Sequence, residues 1–490
     1  MPRDAEGSHQ PRPRSPSGGG RLRGGQAHRT FSVAVFTLLA SLDNVAIGLV
    51  PPLYREIGAG LAVPASTVGW VTATAFLVSA FASVGWAYVG DRADRKPLLV
   101  AGTLIWAVGT ASTGAAPTWG VFLAAQVVAA VGLGAVGAVG FSVVSDLIAP
   151  RRRGLVMSLW GLSQGVGTLA GTLVGGLAGA DNWRRPFWIV TALGLAASAA
   201  YLLTYDIRRG QSEPELAKVF AEGGEYTHRI SLADLRPILA RRTNVWLIAQ
   251  GLTAQVTFGS LVWLPQLFRA RAEAQGYVAE TATAIGSVYA TLFQLGGVLS
   301  IVGGLIGDRM QRRTPRGRAL VAAIGVLAGI PFYVVLFFVP FRFPVPRDAG
   351  NGEIIRTVLQ GVVTEPVLAL SLLTALLALG LTAANAPNWF ALIADVNPPE
   401  HRGSVYSLVN LVNGVGRSAG NGVVGMVFRA LGGGQATPAS YAVGLAAFQV
   451  FFLPTALAFY LASRSAPRDI RAVVTLLRAR ADRAAADRPQ

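Results

Sequence analysis

The stretch Gly90-Asp91-Arg92-Ala93-Asp94-Arg95-Lys96 separates two apolar blocks, each long enough to form a membrane-spanning helix. A second copy, Gly307-Asp308-Arg309-Met310-Gln311-Arg312-Arg313, separates two further apolar blocks 217 residues later, counted from Asp91 to Asp308. A charged loop that recurs in the same place between apolar blocks indicates an internal repeat.

A longer repeat follows each charged loop, with an offset of 249 residues from Asp146 to Asp395. The first copy contains Asp146, Pro150, Arg153, Gly154, Ser158, Leu162, Gly165, Val166, Gly167 and Gly171, and the second contains Asp395, Pro399, Arg402, Gly403, Ser407, Leu411, Gly414, Val415, Gly416 and Gly420. The offsets differ mainly because residues 341–364, which we predict to be a long loop, have only a tight counterpart in the first half. Parallel repeats predict two related bundles, with a binding site between them near the middle of the membrane.

The composition is that of a membrane protein. Hydrophobic residues make up 52% of the 490 residues and charged residues 14%, whereas soluble domains average about 25% charged residues. We predict an all-α membrane protein with twelve transmembrane helices in two six-helix pseudo-symmetric bundles. Spans one to twelve are predicted at residues 31–53, 66–89, 97–116, 119–147, 153–178, 186–205, 243–266, 281–306, 318–340, 365–394, 403–428 and 440–463.

Composition and motifs also exclude several classes of function. The chain has no Cys and four His, which rules out disulfides and thiolate metal sites and leaves few imidazole ligands. It contains no Gly-x-x-x-x-Gly-Lys-Ser/Thr loop, so we do not expect an ATP-driven pump. The spans carry no His/Asp/Ser or metal-ligand constellation. We therefore predict that the chain is not an enzyme and has no cofactor and no metal site.

The polar segments divide the chain into five predicted regions. They are a disordered tail at 1–29, an N-terminal bundle at 30–206, a linker at 207–242, a C-terminal bundle at 243–464 and a basic tail at 465–490. In the linker, Ser231-Leu232-Ala233-Asp234 resembles a capping box that opens a short surface helix. In the basic tail, Ile470, Val473, Val474 and Leu477 share one helical face. That face suits a helix lying on anionic lipid, and a solvated basic tail is the alternative.

The distribution of basic residues predicts the orientation. When alternate loops are placed on opposite sides, about 32 of the 42 Lys and Arg residues fall on the side that holds both termini. The positive-inside rule makes that side cytoplasmic. We predict a multi-pass protein of the cell membrane with both termini in the cytoplasm. The net charge of +17 is then explained by the bilayer, and no nucleic-acid partner is expected.

At the charged loops the chain resembles the major facilitator superfamily, whose loop between helices two and three reads Gly-x-x-x-Asp-Arg-x-Gly-Arg-Arg/Lys. The matching residues are Asp91, Arg92, Arg95 and Lys96 in the first copy and Gly304, Asp308, Arg309, Arg312 and Arg313 in the second, with Ala87 and Asp94 replacing the two glycines of the first copy. The resemblance covers nearly all of residues 30–465 and implies secondary transport by alternating access. The Gly-Asp-Arg-x-x-Arg-Lys spelling also resembles the Spinster-type lipid carriers.

The charged loops predict a conformational switch on the cytoplasmic side. Carboxylates beside Arg clusters at helix ends can form charge-assisted bonds in one conformation and release them in another. The alternative is that these residues only set topology and form turns, although the positive-inside rule requires no Asp. The predicted switch residues are Asp91, Arg92, Arg95, Lys96, Asp308, Arg309, Arg312, Arg313, Asp146, Arg153, Asp395 and Arg402.

Span five contains Gly167-x-x-x-Gly171-Thr172-x-x-Gly175-Gly176. It is similar to the antiporter motif Gly-x-x-x-Gly-Pro-x-x-Gly-Gly of exporting members of the superfamily, with Thr172 in place of Pro. The similarity implies export. Small residues four apart also let helices approach closely. We predict helix-packing roles for Gly167, Gly171, Gly175 and Gly176, and for Gly416 and Gly420 of span eleven.

Two charged residues inside the spans need a reason, because a charge at a helix centre costs roughly 2.5–3.5 kcal/mol on insertion scales. Asp43 in span one is the predicted proton carrier, and a structural bond to a neighbouring helix is the alternative. Arg417 in span eleven shares a helical face with Asn410, Asn413 and Asn421. This polar stripe is predicted either to bind solute or to join the halves by hydrogen bonds. It corresponds to Gly161, Gln164, Thr168 and Thr172 of span five.

The resemblance places helices one, four, seven and ten around the cavity. The substrate-cavity candidates are Asp43, Asn44, Gln126, Gln164, Gln250, Gln255, Phe258, Trp263, Asn385, Asn388, Asn413 and Arg417. Together they predict a largely neutral pocket that suits an amphiphile, a drug-like molecule or a weakly cationic solute. Packing is the alternative role for any one of them.

We therefore predict a secondary transporter that exports a small organic solute, coupled to protons and working as a monomer in the lipid bilayer. The alternative within transport is uptake or lysolipid movement by the same fold. The alternative of another class is a non-transporting membrane scaffold or receptor, which would explain the repeats but not the polar seams and charged loops.

Overall fold

The computed structural model describes residues 26–90, 93–140, 153–204 and 235–486. Of the predicted switch residues, Asp91, Arg92 and Asp146 lie outside these ranges. The helices that contain Asp43, Arg153 and Gln164 are described, but the side chains of these three residues are not.

The described chain is built from α-helices of very different lengths. In chain order they are α1 (Gln26–Leu49), α2 (Tyr54–Gly60), α3 (Ala65–Gly90), α4 (Arg95–Ala115), α5 (Trp119–Ala135), α6 (Arg153–Ala178), α7 (Arg185–Leu202), α8 (Leu235–Leu239), α9 (Arg242–Leu261), α10 (Leu264–Ala274), α11 (Ala279–Gln294), α12 (Ser300–Arg313), α13 (Gly317–Phe338), α14 (Asn351–Thr364), α15 (Pro366–Ala383), α16 (Asn385–Val396), α17 (Pro399–Leu431), α18 (Pro438–Phe448) and α19 (Phe452–Ala486).

Every predicted span corresponds to one helix or to a broken pair, and the fold class is confirmed. Spans one to six are α1, α3, α4, α5, α6 and α7, and spans seven to twelve are α9 with α10, α11 with α12, α13, α15 with α16, α17, and α18 with α19. Among the described residues, eight of these segments have both the length and the hydropathy of a membrane span. The break between α9 and α10 falls where Pro265 lies in the first turn of α10, a position that does not need its missing N–H.

Glycine contacts position the central helices of each half. An added Cβ at Gly167, Gly171 or Gly175 of α6 would strike the backbone of α1, and one at Gly416 or Gly420 of α17 would strike the backbone of α9. Gly171 faces Val45, and Gly420 faces Val256. The two helix pairs are therefore built in the same way, as close contacts of small residues allow. Gly176 differs, because it faces Ser287 of the other half.

The two halves meet along two helix pairs, α3 with α17 and α6 with α11. In the following, the termini side is the side of the α3–α4, α12–α13 and α16–α17 connections. The outer side is the opposite one, which holds α2, α10 and α14.

Two segments differ from the expectations. Residues 341–364 were expected to be a loop, but they include the helix α14, whose Ile354 and Val358 are buried because they pack on the second half. The basic tail is not a separate surface helix, because α19 continues from the membrane to Ala486. Its Val473 is buried, and the carboxylate of Asp469 accepts a hydrogen bond of 3.0 Å from the backbone N–H of Thr243 at the start of α9.

Candidate functional site

A cavity of about 650 Å³ lies between the two halves. The first half contributes residues of α1, α3, α4 and α5, and the second contributes residues of α9, α16 and α17. Gly90 and Arg95 line the cavity at the end of α3 and the start of α4, and Tyr406 lines it near the start of α17. The cavity therefore extends from the middle of the protein to the termini side.

The outer end of the cavity is closed by side chains from both halves. The hydroxyl of Tyr54 donates to Asn421 Oδ1 over 3.3 Å, and Asn421 Nδ2 donates to the carbonyl oxygen of Gly69 over 2.8 Å. Trp263 is fully buried beside them, where its ring contacts Gly69 and its Nε1 donates to the Asn421 carbonyl oxygen over 3.0 Å. The described conformation is therefore open to the termini side and closed to the outer side.

Amide side chains form the polar part of the cavity. Asn385 Nδ2 donates to Gln250 Oε1 over 3.4 Å, and Gln126 Nε2 donates to Thr113 Oγ1 over 3.1 Å. Asn413 also lines the cavity, and its buried Oδ1 has no hydrogen-bond partner among the described residues. These amides offer both donors and acceptors to a ligand.

Arg417 of α17 is a cation in the cavity wall. Its guanidinium lies 4.6 Å from the ring centroid of Phe76, which belongs to α3 of the other half. In the described part of the chain its buried Nε has no hydrogen-bond partner. Arg417 and Arg95 are the charged residues among the described lining residues. A guanidinium in the wall of a mostly apolar cavity favours an anionic group of a ligand.

Most of the remaining wall is apolar. Phe76, Trp106, Phe258 and Phe390 line it together with small aliphatic side chains such as Ala46. A wall of this kind with a few polar groups binds molecules that have an apolar body and a small polar part.

The structure brings most of the predicted cavity residues together. Those that line the cavity are Gln126, Gln250, Gln255, Phe258, Asn385, Asn413 and Arg417. Asn44 packs against Gly167 at the contact of α1 with α6. Asp43 precedes Ala46 and Ile47 by three and four residues, and both of these line the cavity.

Three described cavity candidates do not line the cavity, namely Asn44, Trp263 and Asn388. Trp263 belongs to the closed outer end, as described above. Asn388 donates to the carbonyl oxygens of Gly303 (3.1 Å) and Ala384 (2.8 Å), so it joins α16 to α12 inside the second half. All three lie on helices that the resemblance places around the cavity, but the rotation of each helix decides which of its faces is inside.

The sequence did not point to α3, although Thr72, Phe76, Ser79 and Ser83 of this helix line the cavity. Their spacing of four, three and four residues places them on one face of a helix. That pattern was a usable signal, but three of the four are small and polar residues that are common at helix contacts in membranes.

The switch residues of the second half form a cluster around a residue that was not predicted. Arg318, in the first turn of α13, donates to Asp308 Oδ1 over 2.8 Å and forms an ion pair with Asp395. Gln311 Nε2 also donates to Asp395 Oδ2 over 3.3 Å. Every described member belongs to the second half, so among the described residues the cluster connects α12, α13 and α16.

The other described switch residues lie at the same surface. Arg309, Arg312 and Arg313 are exposed. Lys96 Nζ donates to the carbonyl oxygen of Thr204 over 2.6 Å, and Arg402 Nε donates to that of Asn397 over 3.2 Å. Arg95 lines the cavity mouth.

The sequence is similar to one protein family over most of its length. The family model described as Major Facilitator Superfamily matches residues 32–347. Protein spinster homolog 3 of Danio rerio is 25% identical over 287 residues, which are 55% of this chain and 56% of that protein. The sphingosine-1-phosphate transporter SPNS2 of Mus musculus is 27% identical over 267 residues, which are 51% of this chain and 47% of that protein. The chain spans about half the length of these curated relatives.

Solved structures share the fold. A bacterial homolog to the human lysosomal transporter Spinster, in an inward-facing and unoccupied conformation, matches with a TM-score of 0.70 and 20% identity over 91% of this chain and 99% of that chain. The nucleoside transporter NupG matches with a TM-score of 0.62 and 12% identity over 88% of this chain and 99% of that chain. At these identities the likeness concerns the fold alone.

Proposed function

This chain is a multi-pass membrane transporter that belongs to the major facilitator superfamily, and we propose that it moves an amphiphilic organic anion by alternating access. The proposed solute has an apolar body and one anionic head, as a lysolipid phosphate has. The proposal rests on Arg417, a cavity-lining guanidinium that has no acidic partner among the described residues, in a wall that is mostly apolar.

The cavity has residues that suit both the apolar body and the anionic head of such a solute. The apolar body would lie against Phe76, Trp106, Phe258 and Phe390, where leaving water stabilises it by about 25 cal/mol per Å² of buried apolar surface. The anionic head would receive a charge-assisted hydrogen bond from Arg417, with Asn413 beside it. The name of the mouse relative, a sphingosine-1-phosphate transporter, fits the same class, because that molecule is a lipid with one phosphate head. The sequence alone predicted a largely neutral pocket for an amphiphile, a drug-like molecule or a weakly cationic solute, and the position of Arg417 in the cavity wall is the reason for proposing an amphiphilic anion.

We further propose that transport is outward and driven by protons. With the termini in the cytoplasm, as the distribution of basic residues predicts, the solute enters the cavity from the cytoplasm or from the inner lipid leaflet. It leaves when the outer side opens. Asp43 is the proposed proton carrier, because a carboxyl group inside a span has to be neutralised or paired. Its place one turn before the cavity residues Ala46 and Ile47 supports the assignment.

The proposal is tested by the stabilisation that two matched lipids give to the purified protein. We expect sphingosine-1-phosphate to raise the melting temperature more than sphingosine, which lacks the phosphate, because at equal concentration the tighter-binding ligand stabilises the folded state more. Arg417→Gln removes a charge-assisted bond worth about 1.5–3 kcal/mol. It should therefore weaken binding of the phosphate lipid at least about tenfold and leave sphingosine binding nearly unchanged.

Arg184→Gln is the matched control. Arg184 also stacks on an aromatic ring, at 4.1 Å from the centroid of Trp183, but it lies away from the cavity. Equal stabilisation of the wild-type protein by the two lipids would refute an anionic head as the recognised feature. Outward flux of the phosphate lipid from proteoliposomes then tests transport itself.

A further inference from the structure

Four charged side chains on the outer side form an alternating chain of ion pairs between the two halves. Arg55 and Glu56 belong to α2 of the first half, and Arg269 and Glu273 belong to α10 of the second half. Arg269 Nη1 lies 2.6 Å from Glu56 Oε1 and Arg269 Nε lies 3.1 Å from Glu273 Oε1, while Glu273 also pairs with Arg55. We call these four residues the outer ion-pair cluster.

The inner pair of this cluster is buried. The side chain of Arg269 is 6% exposed and that of Glu56 is 12% exposed, whereas Arg55 and Glu273 are 38% and 28% exposed. Thr283 of α11 adds a hydrogen bond of 2.6 Å from its hydroxyl to Glu56 Oε1. Glu56 of the first half is thus held by two side chains of the second half.

Neutral contacts between the halves surround the cluster. Gln266 Nε2 donates to the carbonyl oxygens of Pro51 (2.8 Å) and Pro52 (2.9 Å). Asn351 Nδ2 donates to the carbonyl oxygen of Leu177 over 2.9 Å. All these bonds connect one half to the other, and all lie on the side where the cavity is closed.

We propose that the outer ion-pair cluster is the lock that keeps the outer side closed, and that it separates each time the outer side opens. This inference rests on the proposed alternating access. Two ions that leave water recover little net free energy when they pair, because the cost of desolvation nearly cancels their attraction. Opening would return water to Arg269 and Glu56 as they separate. A lock of this kind specifies the closed geometry and can still be broken in every cycle.

The cluster is not a property of the repeat. The offset that aligns Val45 with Val256, the residues facing Gly171 and Gly420, places Glu56 opposite Leu267. The two short helices α2 and α10 are therefore equivalent, but their charges occupy different turns. The pairing is specific to the contact between them.

The test measures the distance between the outer ends of the two halves. The chain has no native Cys, so Gly120→Cys in the first half and Gly352→Cys in the second can carry two spin labels. Both glycines are exposed, and a side chain added at either meets nothing within 4 Å. The distribution of distances between the two spin labels is recorded by pulsed electron paramagnetic resonance in nanodiscs without solute.

Glu56→Gln and Arg269→Gln should each increase the ratio of the long-distance to the short-distance population about fivefold or more, the lower end of common coupling between conformational states. Arg55→Gln, at the exposed rim of the cluster, should shift the ratio in the same direction. It replaces the two buried substitutions in the test if these reduce the yield of folded protein. Asp181→Asn is the matched control, since it breaks the 3.2 Å ion pair with Arg185 on the same side but within the first half. It should leave the distribution unchanged.

An unchanged distance distribution in all three cluster variants would overturn the lock. The measurement needs no solute, so its result is separate from the proposed function. A shifted distribution in a protein that transports no lipid would leave the lock in place and remove the proposed solute. Normal lipid transport without any shift in the distance distribution would support the proposed solute and remove the lock.

Discussion

Arg417 has two roles, because it joins the two halves and also lines the cavity. Its guanidinium spans the contact between the halves and stacks on Phe76, and the same group faces the cavity. An added Cβ at Gly259 of α9 would strike its backbone, so α17 is also held tightly from behind. The neighbouring Asn421 has only the joining role, because all its described bonds go to Tyr54, Gly69 and Trp263. The polar stripe of span eleven therefore combines cavity residues with residues that connect the halves.

At the scale of single residues, the role of Asp43 in proton coupling can be tested by substitution. Asp43→Asn mimics the protonated carboxyl, so exchange of solute down its own gradient should survive while accumulation driven by a pH gradient is lost. Asp43→Glu keeps the titrating group and should retain part of the coupling. The measurement is solute flux in proteoliposomes with and without an imposed pH gradient. If Asp43→Asn still accumulates solute when only pH differs, Asp43 has a structural role.

At the scale of elements, glycines form the closest helix contacts in both halves. Gly171 on α6 and Gly420 on α17 contact the backbones of Val45 and Val256. The same contact occurs once in each half, at positions that the 249-residue repeat relates. Close packing is thus sufficient to explain Gly171 of the antiporter-like motif and its counterpart Gly420.

We expect Gly171→Ala and Gly420→Ala each to lower the free energy of unfolding by about 1–3 kcal/mol, the usual cost of overpacking a filled contact. Gly85→Ala is the control, because Gly85 is exposed on α3 and an added Cβ there meets nothing within 4 Å. That change should be neutral, or stabilising by up to about 1 kcal/mol, since alanine loses less entropy in a helix. Thermal unfolding in detergent provides the comparison. Equal effects at Gly85 and Gly171 would show that α6 and α1 do not depend on this contact.

The cluster of Asp308, Arg318 and Asp395 gives a second prediction at the scale of elements. Because Arg318 bridges both acids, Asp308→Asn and Arg318→Gln should slow transport in the same way while solute affinity changes little. The double variant should be no slower than Arg318→Gln alone, since residues of one network are not additive. Transport rates and solute binding are measured on the same preparations. Additive losses, or no loss in either single variant, would remove the cluster from the transport cycle.

At the scale of the whole molecule, the described conformation is asymmetric across the membrane. The cavity reaches the termini side past Gly90 and Arg95, while Tyr54, Asn421 and Trp263 close the outer side. A transporter in this state presents its solute site to one compartment only. Which compartment that is depends on the orientation of the chain in the membrane.

The orientation can be tested with the same cysteine-free background. We predict the termini side in the cytoplasm, because most Lys and Arg residues lie there. A single Gly352→Cys should therefore react with an impermeant thiol reagent in intact cells, and a single Ala93→Cys should react only after the cells are opened. Both positions are exposed. Labelling with the opposite pattern would invert the topology and turn the proposed export into uptake.

The sequence by itself determined the fold class, the approximate position of every span, the two related halves and most of the cavity amides. These are local properties, because the bilayer requires each crossing segment to have its own length and hydropathy. The charged loops, the polar stripe with Arg417 and the glycines of α6 were also readable, since each is a short pattern on one helix or one turn.

The tertiary structure alone decided which of these residues act together. Trp263 and Asn388 do not line the cavity whereas Phe76 does, because the rotation of each helix depends on the helices around it. Asp308 is paired by Arg318 of the next span, and Glu56 by Arg269, 213 residues further along the chain. No local pattern records such a pairing. The pair of Glu56 and Arg269 forms where two short helices from different halves meet, and only the packed molecule brings these helices together.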